Sequence, residues 1–259
     1  MTWTAPSDGF APVAGPSVKP VATAGGGGQA STIADALRWS KAGALLTLFG
    51  TLLSGPVSLA IVGTTHPQPD WQGAGAFVRH YHVVQSLPFL LGFALVAGFV
   101  VLISGLSSLS GAAHRVRSEV AVSLVTAFAA LVFLNYVLQT AFVPALVRGY
   151  DGNGSLLAAV TMANPDSLGW CLEMWSYAVL GIATWLIAPT FASGPFARAA
   201  RLTFVANGPL SIASALATLL IPNWVLSLPG LLAFGAWNLL VVAMAVFAFA
   251  ALRGQQGVR

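Results

Sequence analysis

Residues 83–109 read VVQSLPFLLGFALVAGFVVLISGLSSL, twenty-seven residues without one charged side chain. A helix rises about 1.5 Å per residue, so about 20 apolar residues cross the roughly 30 Å of bilayer hydrocarbon. The run is long enough to span, and it is continuous. A strand of a membrane barrel would alternate apolar and polar residues instead, so a β-barrel is excluded. Five further runs of the same kind flank it: Ala42 to Val62, Val122 to Val143, Leu168 to Ala188, Thr203 to Ile221 and Gly230 to Leu252. The predicted fold class is all-α, a bundle of six transmembrane helices over residues 36–253.

The composition agrees. Of 259 residues, 57% are apolar and 7% charged, and the mean hydropathy is +0.82. Soluble domains carry about one quarter charged residues, so a soluble enzyme is excluded. Long-range disorder is excluded by the apolar content. The first thirty-five residues differ. They are rich in Pro, Ala and Gly, with Gly25 to Gly28 in a row, and they read as a disordered tail without a cleavable signal segment. Residues 254–259 read as a second short tail.

The basic residues sort by side. With six spans, Lys19, Arg38, Lys41, Arg115, Arg117, Arg198, Arg201, Arg253 and Arg259 fall on one face of the membrane, and only Arg79 and Arg148 on the other. Positive charge stays inside, so both termini are expected in the cytoplasm. The same residues form no run that could track a phosphate backbone, so no nucleic-acid partner is expected. Loop one (63–82), loop two (144–167) and loop three (222–229) then face outward. Within loop two, Ser155 to Ala163 is expected to form a short interfacial helix, and Asn164-Pro165 to cap and launch span four.

Small residues at helical spacing mark packing faces. Gly43, Thr47, Gly50, Ser54 and Ser58 form one in span one; Asn207, Ser211, Ser214 and Thr218 form another in span five. Gly55-Pro56, Pro88 and Gly208-Pro209 are expected to kink their helices. Asn207 and Asn238 read as hydrogen-bonding glue between spans five and six. Trp71, Trp170, Trp175 and Trp224 read as interfacial belt residues.

An ionisable side chain inside a span is a functional hypothesis by default. Glu173 is the acid that lies well inside one, about 7–8 Å below the start of span four. Tyr177 is one turn deeper on the same face. Gln139 and Asn135 lie about 6 and 12 Å below the outer end of span three. His82 and Gln85 share the top of span two. Exposing these faces to lipid would cost several kcal/mol, roughly, so they should turn inward together. The expected ligand-binding cluster is Glu173, Asn135, Gln139, Gln85, His82 and Tyr177. It serves either as a small pocket open to the outside or as a network locking spans two to four.

Other chemistry finds little support. The single cysteine, Cys171, rules out disulfide redox and cysteine-based zinc sites and reads as a small buried residue. His66, His80 and His82 are weak candidates for an outer metal site. Bis-histidine haem, intramembrane serine protease, multi-histidine zinc hydrolase and retinal Schiff-base chemistry each need a residue that the spans lack. No cofactor is expected and no complete catalytic set is visible.

The residues Asn135-Tyr136-Val137-Leu138-Gln139, then Asn164-Pro165-Asp166-Ser167-Leu168-Gly169-Trp170, then Leu172-Glu173 and Tyr177 resemble a pattern in uncharacterised bacterial multi-span integral membrane proteins, a domain-of-unknown-function family. The resemblance covers spans three and four. It implies a six-helix protein of the bacterial inner membrane and no particular activity. Three readings follow. The first is binding or translocation of a small or proton-coupled ligand at Glu173. The second is a non-catalytic subunit or assembly factor that packs against membrane-protein partners. The third is an outer-leaflet lipid enzyme using Glu173 with His82.

Overall fold

A computed structural model describes residues 26–152, 154–194 and 196–254. Among the described residues all regular structure is helical, and six helical segments are long and apolar enough to cross a membrane. Span one is α1 (Gly26–Leu52), a π-helical turn at Leu53–Val57, and α2 (Ser58–Thr65). A short helix, α3 (Ala74–His80), and a 3-10 turn at Val83–Ser86 lead into α4 (Leu87–Leu109), the second span. Span three is α5 (Arg115–Val137), a π turn at Leu138–Phe142, and α6 (Val143–Arg148). Then come α7 (Ser155–Val160), α8 (Leu168–Ile187), α9 (Ala197–Leu220) and α10 (Leu228–Gly254).

The spans follow one another around a ring. α1 packs on α4, α4 on α5, α5 on α8, α8 on α9, α9 on α10, and α10 closes back against α1. The ends of the described chain and the connections near 110–114 and 191–196 lie at one end of the bundle, the terminus end. The connections near 66–82, 149–167 and 221–227 lie at the other, the loop end.

Lipid gives helices no hydrophobic reason to associate, so close backbone approach does that work. The small-residue stripe of span one is a packing face, as expected, and its partner is α4. A side chain at Gly43 would strike the Leu102 backbone, and one at Gly50 the Leu95 backbone. α4 reciprocates, with Gly98 against Thr47 and Gly105 against Ser40. The stripe of span five meets α8, where Gly181 faces Gly208 and Ser211. The terminus-end half is filled by large, fully buried side chains, among them Phe99, Leu102, Phe128, Ile187, Phe204 and Met244.

Several local expectations need correction. Helix α1 begins at Gly26, so residues 26–35, assigned to the tail, are helical; the rest of both tails lies outside the described residues. Pro88 occupies the first turn of α4. It starts the helix and does not kink it, because a first-turn N–H has no intrahelical partner to lose. Pro56 does perturb its helix, sitting within the first π turn. Pro209 lies inside an uninterrupted α9. Asn164 is not the cap of α8. Ser167, in extended backbone, accepts from Trp170 N–H and caps the helix. Asn164 instead accepts from Asp166 N–H and donates to the Ala158 carbonyl, turning the chain between α7 and α8. Helix α7 ends at Val160, and its Leu157 and Val160 pack with Phe77, Val143 and Ala163 in a small second core at the loop end. Cys171 is exposed on α8 and not buried.

Candidate functional site

The loop-end half is hollow. It holds a cavity of about 400 Å³, lined by residues of all six spans. On its wall stands Glu173, half-buried. Asn135 Nδ2 donates to Glu173 Oε2 at 2.9 Å, and the Tyr136 hydroxyl donates to Oε1 at 3.0 Å. The Tyr177 hydroxyl stands 3.5 Å from that of Tyr136. Gln139 Nε2 donates to Asn135 Oδ1 at 3.2 Å and to the Val160 carbonyl at 2.9 Å, and its Oε1 accepts from Met162 N–H at 3.1 Å. The Trp170 indole N–H holds the Met162 carbonyl at 2.8 Å. The segment 160–163 is thereby pinned across the cluster from the loop side.

The local backbone explains how these side chains meet. Asn135 and Gln139 are one turn apart, so their amides lie one above the other and bond directly. Pro144 has no N–H to give to the carbonyl of residue 140, and the helix loosens into the π turn that carries Gln139. Gly169 lets segment 160–163 lie against α8; a side chain there would press Met162, the Val160 carbonyl and Asn135. Gly92 makes room on α4 for the Tyr136 ring, which is flanked by Phe89 and Phe93 at 5.8 and 5.7 Å between centroids.

Of the six expected site residues, the structure joins Glu173, Asn135, Gln139 and Tyr177 in one cluster. Gln85 lines the same cavity but spends its amide elsewhere. Its Nε2 donates to the carbonyls of His66 and His80, and its Oε1 accepts from His82 N–H. His82 is outside the cluster. It caps the 3-10 turn by accepting from Val84 N–H, and its ring stacks on His66 at 3.5 Å between centroids. An acid–base pair of Glu173 and His82 is therefore not assembled. His80 Nδ1 meets the Ala76 carbonyl, and Arg79 is exposed. Among the described residues no group of three or more His, Cys, Asp or Glu is placed to hold a metal ion.

Tyr136 is the site residue that sequence reading missed. It follows Asn135 directly, about 100° around the helix, so spacing from Asn135 and Gln139 puts it on another face. Its polar end reaches the cluster through the length of the side chain.

The electrostatics of the cluster are one-sided. Arg38–Asp35 and Arg115–Glu119 are ion pairs, both well exposed and neither at the cluster. Among the described residues no cation pairs with Glu173. Its neighbours are neutral donors, one to each oxygen, whereas a carboxylate has about four acceptor positions. The unused acceptor capacity faces a cavity lined mainly by apolar and aromatic side chains.

A second polar network lies deeper. Asn207 Nδ2 donates to Thr184 Oγ1 at 3.1 Å, and its Oδ1 accepts from the Trp237 indole at 3.0 Å and from Ser211 at 3.3 Å. It ties spans four, five and six, in keeping with the expected glue. Asn238 does not join it; it lines the cavity and donates to the Phe234 carbonyl. Comparison with known protein families, curated proteins and solved structures finds no match to this chain.

Proposed function

We propose that this protein binds a small amphipathic or cationic molecule at Glu173 and carries it into or across the bacterial inner membrane, with both termini in the cytoplasm. One observation carries the reading. A carboxyl group with no cation paired to it among the described residues, and with acceptor positions beyond the two in use, stands on the wall of an apolar cavity. The cavity volume of about 400 Å³ falls in the ~300–1,000 Å³ range of small-molecule sites. The distribution of basic residues, nine against two, supports an orientation with the loop end outside. Proton exchange at the same carboxyl is the coupled form of this activity.

The test is calorimetric titration of the full chain in lipid nanodiscs with tetraethylammonium, a small organic cation. Wild type should bind it. Glu173→Gln should bind at least about tenfold more weakly, because tetraethylammonium has no N–H and is held by charge alone, and two unit charges about 4 Å apart attract by roughly 4 kcal/mol at an effective dielectric constant of about 20. The variant should unfold at nearly the wild-type temperature, since an amide preserves the shape of the side chain. Equal affinity in the two proteins would remove the proposal.

A further inference from the structure

Resting on that reading, we infer that the Glu173 cavity is loaded sideways from the bilayer, through a gap between α2 and the loop-end half of α10, by a single-chain amphiphile with an ammonium head.

The gap follows from the π turn. Span one packs along α10 through α1. At Gly55 the two spans still touch, because a side chain added there would come within 2.8 Å of Asn238 Oδ1. Pro56 follows at once, and the helix loosens into the π turn. Beyond it, α2 packs on α4 and has no comparable run of contacts with α10. The seam that closes the ring of six helices is thus shut below Gly55 and parts above it.

The residues on either side bear this out. Leu59 on α2 and Leu231 and Phe234 on α10 all line the cavity, yet they are 48, 51 and 46% exposed. Gln68 and Leu226 of the loop-end connections line the cavity and are exposed as well, so exposure agrees with an opening at the gap, and the parting of α2 from α10 is what locates it there. The loop end directly above Glu173 is covered instead, by segment 160–163 held through Gln139 and Trp170. With the termini inside, the opening faces the hydrocarbon of the exoplasmic leaflet.

The lining selects the occupant. The mouth is apolar, suited to an alkyl chain. The interior is lined by the Glu173 carboxyl and the aromatic side chains of Tyr136, Tyr177, Trp237 and Phe89. A carboxyl with no cation beside it among the described residues, set among aromatic rings, is the chemistry that holds an ammonium group.

Carbodiimide labelling of the full chain in nanodiscs tests this, with adducts on Glu173 read by peptide mass spectrometry and Glu173→Gln as the blank. Membrane-partitioning dicyclohexylcarbodiimide should label Glu173 at least tenfold faster than a water-soluble carbodiimide. Dodecyltrimethylammonium should protect Glu173, while tetramethylammonium and dodecanol at the same concentration should protect it at least tenfold less. Ala233→Trp, or Leu59→Trp on the facing wall should the first not fold, should slow the membrane-borne reagent alone. Equal labelling by both reagents, with neither Trp variant having an effect, would overturn sideways entry and leave the pocket intact. Equal protection by dodecanol would overturn the ammonium head. A photo-crosslink from position 231 to another protein chain, without protection by the amphiphile, would assign the gap to a protein partner and overturn the proposal. No labelling by either reagent, with no tetraethylammonium binding, would remove the pocket reading itself.

Discussion

The two halves of the bundle treat buried polarity in opposite ways. Just toward the termini from the cavity, which Ser211 and Trp237 also line, Asn207 is fully buried and both ends of its amide are engaged, with Thr184, Ser211 and Trp237 as partners. Helices there meet backbone to backbone at glycine. In the half toward the loops, Glu173 is bonded once on each oxygen, keeps further acceptor capacity and lines the cavity. A network whose members are all paired contributes cohesion between helices, whereas one with spare acceptor positions can also take a further partner. Depth within the span does not separate the two cases. The completeness of the partners does.

The largest effect is expected in the closed half. Gly98→Val would drive a branched side chain into the Thr47 backbone, where neither helix can yield by rotating a side chain. Overpacking of this kind costs about 3 kcal/mol, read as a sharp fall in the unfolding midpoint in detergent. A midpoint within a degree or two of wild type would mean that α1 and α4 are not held by this contact. Next comes Asn207→Leu. It breaks three side-chain hydrogen bonds, and such bonds between membrane helices average about 0.6 kcal/mol, so about 2 kcal/mol should be lost. The loss should appear in unfolding and exceed any loss in tetraethylammonium affinity. The reverse pattern would erase the distinction between the halves.

Much of this was legible in advance, for physical reasons. Lipid leaves a continuous apolar signature, so six spans could be read from runs such as 83–109. The same solvent makes polar residues conspicuous, and simple depth arithmetic grouped Glu173, Asn135, Gln139 and Tyr177. What failed was whatever depended on non-helical backbone. His82 and Gln85 were placed on one helix face, but His82 caps a 3-10 turn by accepting from Val84 N–H, and Gln85 within that turn accepts from His82 N–H and donates to loop carbonyls. Asn164 carries the composition of a cap, but Ser167 was better placed to act as one. The π turns at Leu53–Val57 and Leu138–Phe142 arise near prolines and have no periodicity of their own. The glycines of α4 were passed over because, within a long apolar run, a glycine that meets another backbone reads like any small residue.

The finest test of the contrast is Tyr136→Phe. The change removes one hydroxyl, which donates to Glu173 Oε1 and lies near the hydroxyl of Tyr177. The ring keeps its place between Phe89 and Phe93 and in the notch left by Gly92. Its effect therefore isolates a hydrogen bond from packing. If the cluster exists to hold a ligand, the hydroxyl is a positioning group that fixes the carboxyl toward the cavity. Its loss, worth about 1 kcal/mol, should then weaken tetraethylammonium binding about fivefold and leave the unfolding midpoint nearly unchanged. If the cluster exists to lock spans three and four, the same 1 kcal/mol should appear as lost stability with no change in affinity. The two quantities, measured on one preparation, decide whether the loop-end cluster is an open counterpart of the Asn207 network or a second copy of it.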